Sequence, residues 1–313
     1  MVPTRRRLLQ VGGAAMLPAL AGCTTTDLFE SNEPTTEYTL SIDTFEVEPV
    51  EHALYEPRDD SVFGAPARTA LEVIVPDGRH TTYGYRPLPE DAYVKHDDAY
   101  YQTKYIFTGR PKQSRQIVRV DSVPKEDVPE DAVLIDTLAQ PSARVLKILH
   151  THTQSNGKAS TAEVLRGDGY VLRRPAERES RLATGNLDGR VVTMTDSGNW
   201  AYRVFVTEEE LREPAHTALA IKVAASRSQF RSVVFGARID AELTPAALSS
   251  DAQELLEQAI ARGTYTESAP ISESLDAVLD ALGLKAVDSA ATGKQLWYDE
   301  QFYRYGLYID DNP

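Results

Sequence analysis

Few residues of this chain could do chemistry, and its one close pair of histidines is His150-Thr151-His152. On a β-strand, side chains two positions apart lie on one face, so this pair could bind a metal ion. The following residues are threonine, glutamine and serine, however, and no cysteine lies nearby. His96, beside Asp97 and Asp98, could add ligands only if the fold brought it close. We therefore interpret the histidines as ordinary polar loop residues and predict no metal site and no cofactor.

A nucleophile and a pair of catalytic carboxylates are equally hard to assign. Ser197-Gly198 lies in a predicted hairpin turn and lacks the Gly-x-Ser-x-Gly context of a nucleophilic serine. Adjacent acids such as Asp59-Asp60 and Asp310-Asp311 are most simply hydrated surface, and no phosphate loop or calcium loop is present. The sequence therefore favours a protein that is not an enzyme. A hydrolase with dispersed catalytic residues is the alternative.

The single cysteine, Cys23, lies where a chemical modification is expected. Small residues at Ala21 and Gly22, after Leu20, would fit the groove of a peptidase, and the thiol could accept a lipid. Near the start of the sequence, Arg5-Arg6-Arg7 is followed by an apolar run, Leu8 to Leu20, that is shorter than the roughly 20 residues needed to cross a bilayer. A charged head, a short apolar run and small residues before a cut site are typical of a signal peptide.

These first 23 residues resemble the signal of a lipoprotein that is exported by the twin-arginine route. In this resemblance Arg5 and Arg6 form the recognised pair, and Leu20-Ala21-Gly22-Cys23 forms the lipobox. It implies a lipid on Cys23 and anchoring at the extracytoplasmic face of the cell membrane. It also implies membrane lipid and the export and signal-processing machinery as partners. A secreted protein with a chance cysteine, or an uncleaved anchor helix, is the alternative.

The composition indicates adaptation to high salt. Removing residues 1–22 removes three arginines and takes the formal charge from −14 to −17, and nine lysines stand against 24 arginines. Carboxylates stay hydrated when salt competes for water, and salt screens their repulsion. Together with the signal, this composition resembles the secreted lipoproteins of halophilic archaea.

Such a charge also argues against a nucleic-acid partner, because phosphate binding needs clustered basic residues. The small basic run Arg173-Arg174 and Arg178 is interrupted by Glu177 and Glu179. We interpret this run as a solvated face.

Three stretches look like copies of one β-hairpin: Tyr93–Phe107, Val191–Val206 and Leu296–Ile309. Each has an apolar first strand, an acidic turn and an aromatic second strand. We predict an α+β fold of tandem small modules that arose by duplication, each with antiparallel strands and one or two helices. The predicted boundaries are 1–22 for the signal peptide, 23–36 for the lipidated cysteine and a flexible tether, 37–110 for a β-rich first module, 111–206 for the second and 207–313 for the third.

The aromatic residues of the hairpins allow two interpretations. Tyr101, Trp200, Tyr303 and Tyr305 could form an exposed aromatic surface for a sugar or a peptide. Alternatively, a helix packs over each hairpin and the rings belong to the core, which is the interpretation that we favour.

Apolar periodicity predicts helices over Leu248–Arg262 and Ser272–Leu282. Thr207 and Glu210 have the spacing of a capping box, which predicts a helix start. The apolar runs Thr217–Ala224 and Ser232–Ile239 are predicted strands.

These observations favour a non-enzymatic, surface-anchored protein that binds or displays an unknown protein or small-molecule ligand. The solute receptor of an uptake system is a further alternative, since many such receptors are lipoproteins. Those receptors need two lobes with parallel sheets, whereas this chain predicts antiparallel hairpins.

Overall fold

The computed structural model describes residues 35–158 and 164–312, where fifteen strands form three sheets and seven α-helices cover them. The α+β class and the small antiparallel modules with one or two helices are therefore confirmed. The predicted signal residues Arg5, Arg6, Leu20, Ala21, Gly22 and Cys23 lie outside the described residues.

The strands and helices alternate irregularly along the chain. In order they are β1 (Thr35–Thr44), α1 (Pro49–His52), α2 (Gly64–Ile74), β2 (Arg79–Tyr83), β3 (Tyr93–His96), β4 (Ala99–Gly109), β5 (Lys112–Val123), β6 (Val133–Leu134), α3 (Gln140–Gln154), β7 (Leu165–Arg166), β8 (Gly169–Val171), α4 (Pro175–Arg178), β9 (Val191–Thr193), β10 (Ala201–Arg212), β11 (Ala215–Ala224), α5 (Arg227–Arg238), β12 (Ala241–Leu243), α6 (Ser250–Arg262), β13 (Thr264–Ser268), α7 (Glu273–Ala281), β14 (Ala290–Tyr298) and β15 (Gln301–Asn312).

Each sheet contains one of the three predicted hairpins. The first sheet has the order β2-β11-β4-β3, the second β6-β9-β10-β5-β8-β7 and the third β12-β14-β15-β1-β13. The hairpins are β3–β4, β9–β10 and β14–β15, all antiparallel. Asp97 and Asp299 turn the first and third hairpins with φ of 50° and 47°, a left-handed conformation that aspartate tolerates better than most residues.

The three sheets share one pairing pattern. The second hairpin strand always pairs antiparallel with a long strand, which is β11, β5 or β1. That long strand pairs antiparallel on its other side with β2, β8 or β13. The first hairpin strand has a parallel neighbour in each case: a single bridge from Leu54 to Tyr93, then β6, then β12. This pattern favours duplication, which stays a hypothesis about the origin of the modules.

Two of the long strands are exchanged between modules. In the second sheet, the long strand β5 precedes every other strand of that sheet. The same chain order would place β1 in the first sheet and β11 in the third. Instead, β1 pairs with β15 from Thr35 opposite Asn312 to Thr44 opposite Tyr303, and β11 lies between β4 and β2.

The exchange corrects the predicted module boundaries 37–110 and 207–313. Alternation of apolar and polar residues identifies a strand, but it does not specify the strand's partner. The second sheet, from Lys112 to Arg212, comes close to the predicted module 111–206.

Helices cover one face of each sheet and close its core. Helices α6 and α7 cover the third sheet, with Leu256 and Val278 fully buried beside Leu40 of β1. Helix α3 covers the second sheet through Leu146 and Leu149. In the part of the chain that the structure describes, no helix combines the length and the apolar character needed to cross a membrane.

Two predicted elements are wrong. Ser232–Ile239 is not a strand, because most of it belongs to α5, whose Phe230 and Val234 are buried four positions apart. Thr207 does not start a helix either. It lies inside β10, where Glu208 accepts a hydrogen bond from Ser114 of the adjacent β5.

Candidate functional site

The candidate site lies where two strands cross from the first sheet to the second. Strand β4 continues into β5 past Pro111, and β10 continues into β11 past Pro214. Proline has no backbone N–H, so the pairing of the two strands is interrupted at this point. The backbone N–H of Glu213 donates to the carbonyl of Pro111 at 3.1 Å and holds the crossing together.

A cleft of about 460 Å³ opens beside this crossing. Its walls come from α2 and β2 of the first module and from β5 and α4 of the second. The lining combines basic, aromatic, hydroxyl and small residues, among them Arg115, Arg173, Arg178, Tyr83, Tyr85, Thr69, Thr81, Ala65 and Ala176. The volume falls in the range of small-molecule sites.

One side of the cleft is backed by a network of buried charges, the charged wall. It consists of two carboxylates and four guanidinium groups, which are Glu213, Glu177, Arg115, Arg144, Arg173 and Arg174. Glu213 is its buried centre. Glu213 is 2% exposed. Its two carboxylate oxygens accept hydrogen bonds from Nε of Arg115 and Nε of Arg173, each at 2.7 Å. Arg115 is 6% exposed and also donates from Nη2 to the carbonyl of Tyr83 at 3.3 Å. These hydrogen bonds therefore connect the first sheet to the second along the charged wall.

Gly84 lets the backbone approach this carboxylate. A Cβ atom at this position would lie 2.6 Å from both carboxylate oxygens of Glu213, and the residue has a φ of +77°. Its backbone N–H donates to the carbonyl of Pro214 at 2.9 Å. Only glycine meets both the steric and the conformational requirement.

A second buried carboxylate, Glu177, is linked to Glu213 through Arg173, which donates hydrogen bonds to both. It is 1% exposed and accepts hydrogen bonds from the Tyr170 hydroxyl at 2.8 Å and from the backbone N–H groups of Arg173 and Arg174 at 3.0 Å. Guanidinium nitrogens of Arg174 and Arg144 lie 3.3 and 3.5 Å from the same carboxylate. Burial, reinforced by the charge of Glu177, raises the pKa of Tyr170, so its hydroxyl stays protonated and donates to Glu177.

Phe63, which precedes α2, gathers arginines from both modules. The guanidinium carbons of Arg58, Arg174 and Arg144 lie 4.5, 4.8 and 4.9 Å from its ring centroid. Cations over an aromatic face are attracted by its quadrupole. The ring thus holds three like charges together near one edge of the cleft.

The surroundings of His80 limit what it could do as a base. Burial lowers its pKa, so the imidazole in the cleft wall is neutral at pH 7. A nucleophile and its base lie within hydrogen-bond reach of each other, but in the described chain no hydroxyl group is hydrogen-bonded to His80.

The structure distinguishes between the two interpretations of the hairpin aromatic residues, and three of the four belong to the core, as the favoured interpretation has it. Tyr101, Tyr303 and Tyr305 are 6%, 7% and 2% exposed, so they cannot form a platform for a ligand. The Tyr305 hydroxyl donates to the carbonyl of Leu282, just after α7, at 2.7 Å. Trp200 is 53% exposed and lies beside His150, 5.7 Å between ring centroids.

The histidine pair lies on helix α3 rather than on a strand. On a helix, side chains at positions i and i+2 point in different directions, so the two rings do not face a common ligand. Nδ1 of His150 is hydrogen-bonded to the Tyr202 hydroxyl at 2.8 Å. Within the described ranges, no group of three or more His, Cys, Asp or Glu residues is arranged to hold a metal ion.

The basic run at Arg173 and Arg174 is not a solvated face. Their side chains are only 22% and 21% exposed, and Glu177, which interrupts the run in the sequence, is its buried partner. The partners Arg115, Arg144 and Glu213 come from other strands and helices. The signal available in the sequence was a concentration of arginine in an acidic chain.

Comparison with known proteins gives no match: no family model, no curated protein and no solved structure is significantly similar to this chain.

Proposed function

We propose that this protein is a lipid-anchored, extracytoplasmic binding protein that holds a small molecule in the cleft between its first and second sheets. The cleft carries the proposal, because it is large enough for an organic molecule and is lined by converging polar and aromatic groups. The anchor rests on Cys23 and on the signal residues before it.

The tether gives the binding unit room above a membrane. Residues 24–34 lie between the proposed lipid site and the start of β1. Fully extended, they would span about 40 Å at roughly 3.5 Å per residue. An anchored cleft could therefore meet solutes at the cell surface.

Binding without turnover fits the site better than the two alternatives, which are a hydrolase and the solute receptor of an uptake system. His80 has no hydrogen-bonded hydroxyl to activate in the described chain, which gives a hydrolase no evident nucleophile and base. The described sheets are mainly antiparallel, with parallel pairs limited to short strands, and lack the two parallel lobes that the receptor alternative requires.

The anchor is tested by Cys23→Ser. We expect this variant to move from the membrane fraction to the medium, because the serine hydroxyl does not accept the lipid. The measurement is fractionation of the host cells, with Thr25→Ser as a control that leaves the lipobox intact. Unchanged fractionation of Cys23→Ser would disprove lipid anchoring at this residue.

Binding in the cleft is tested by Ala176→Trp, which places an indole among the lining residues. Ala261→Trp on the exposed face of α6 is the matched control. Each full-length protein is purified from its host in high salt and denatured, and the released small molecules are identified by mass spectrometry.

We expect a molecule that stays with the wild type and Ala261→Trp and is at least about tenfold depleted in Ala176→Trp. Equal retention by all three proteins would contradict binding in the cleft, and so would a wild type that neither retains a molecule nor binds an added one. Conversion of the retained molecule during incubation would favour the hydrolase instead.

A further inference from the structure

We infer that the ligand of the cleft is a small organic anion whose carboxylate or phosphate group is bound by Arg173 and Arg178. This inference rests on the proposed binding function and adds the chemical class of the ligand. It follows from the charge balance, the unused hydrogen-bond donors and the remaining lining of the cleft.

The charged wall has more positive than negative groups. Glu213 is shared by Arg115 and Arg173, and Glu177 is shared by Arg144 and Arg174. Two buried carboxylates therefore face four guanidinium groups, which are between 6% and 23% exposed. Of these arginines, Arg115 and Arg173 line the cleft, and they share the one carboxylate of Glu213. Because a buried charge without a partner is costly, an anion in the cleft would complete their pairing.

Several donors of this wall are unused. Arg115 and Arg173 each reach Glu213 through Nε, so neither arginine grips the carboxylate with two terminal nitrogens. Among the described residues, the terminal nitrogens of Arg173 have no acceptor, and neither does Nη1 of Arg115. Carboxylates and phosphates accept paired hydrogen bonds from such a planar group.

Arg178 supplies a second guanidinium to the same cleft. It lies at the end of α4 and lines the cleft with Arg173, and its side chain bonds to no other described residue. Two other exposed arginines near this crossing, Arg110 and Arg212, also have no carboxylate partner among the described residues, but unlike Arg178 they do not line the cleft. An arginine left free in an acidic chain is suited to receive an external anion.

The rest of the lining indicates an organic body. Tyr83, Tyr85, Pro66 and Pro175 provide apolar surface, and the threonine hydroxyls provide polar contacts. Glu179 also lines the cleft and could accept a hydrogen bond from a hydroxyl group of the ligand. A bare inorganic ion would leave most of the 460 Å³ without contacts.

The experiment measures binding of two anions and their neutral counterparts to the full-length protein in high salt. The carboxylate arm compares gluconate with sorbitol, and the phosphate arm compares glycerol 3-phosphate with glycerol. Thermal unfolding and calorimetric titration are recorded, because a ligand of the native state raises the unfolding midpoint with concentration. The variants are Arg178→Gln and, as an exposed control three positions further along, Arg181→Gln.

We expect at least one anion, and neither neutral counterpart, to raise the midpoint of the wild type and of Arg181→Gln. Arg178→Gln should weaken the binding of that anion at least about tenfold, since hydrogen bonds between charged groups are among the strongest in proteins. The arm that responds identifies the carboxylate or the phosphate as the preferred group.

Two results would overturn the inference. One is equal binding of the anions and the neutral counterparts, and the other is equal weakening by Arg178→Gln and Arg181→Gln. If a neutral molecule is retained by the wild type and lost in Ala176→Trp, the binding function stands and the anionic ligand falls. If no molecule is retained and no anion shifts the midpoint, both proposals fall.

Discussion

Glu213→Gln is expected to lower the free energy of unfolding by about 3–5 kcal/mol. The substitution removes the charge that Arg115 and Arg173 share, and it leaves Arg115 buried without a counter-ion. The loss should reach both modules, because Glu213 lies at the crossing between the first and second sheets. Chemical denaturation followed by circular dichroism measures the change.

The matched control is Glu210→Gln on the same strand. Glu210 pairs with Lys112 at 2.9 Å, but these side chains are 68% and 61% exposed. Exposed pairs contribute about 0–1 kcal/mol, and salt weakens them further. If Glu213→Gln costs no more than Glu210→Gln, the charged wall is not a buried network and the argument from charge balance fails.

Leu40→Ala is expected to destabilise the third module rather than the first. Leu40 lies on β1 and is fully buried against α6 and α7. Truncating a buried leucine costs about 2–5 kcal/mol. Because β1 pairs with β13 and β15, the amides of these two strands should lose protection in hydrogen-exchange experiments.

Val118→Ala provides the comparison for Leu40→Ala. Val118 is fully buried on β5, the long strand of the second sheet. Its truncation should lower the hydrogen-exchange protection of the amides of β8 and β10, which pair with β5. Early loss of protection in β3 and β4 upon Leu40→Ala would show that β1 belongs to the first module, as its position in the chain suggests, and would contradict the exchange.

Local features of the fold were accessible from the sequence. The predicted helices over Leu248–Arg262 and Ser272–Leu282 correspond to α6 and α7, and Ser249 and Ser272 cap them by accepting backbone hydrogen bonds. Gly263 ends α6 in a left-handed conformation. Such signals act over a few residues, so a single sequence displays them.

Long-range pairing was not accessible in the same way. Ser232–Ile239 contains neighbouring valines that favour a strand, yet packing of Phe230 and Val234 makes the segment helical. The exchange of β1 and β11 leaves no local trace, because both strands have the same alternation whichever sheet they join. Tertiary contacts decide both cases.

The candidate site was missed for the same reason. Glu177 follows Arg174 by three residues, and in the sequence it looks like a charge that dilutes the basic run. In the folded chain it is buried and bonded to Tyr170, so it stabilises the arginines instead. Arg115 and Glu213 are 98 positions apart, and their pairing depends on the register of β5 and β10.

The most direct measurement of the central claim is a crystal structure of the protein purified from its own host without added ligand. We predict electron density for an organic molecule in the cleft, with an anionic group in contact with Arg173 and Arg178. An empty cleft in a protein that retains a small molecule elsewhere would contradict the proposed function. A neutral molecule in the cleft would contradict the anionic ligand alone.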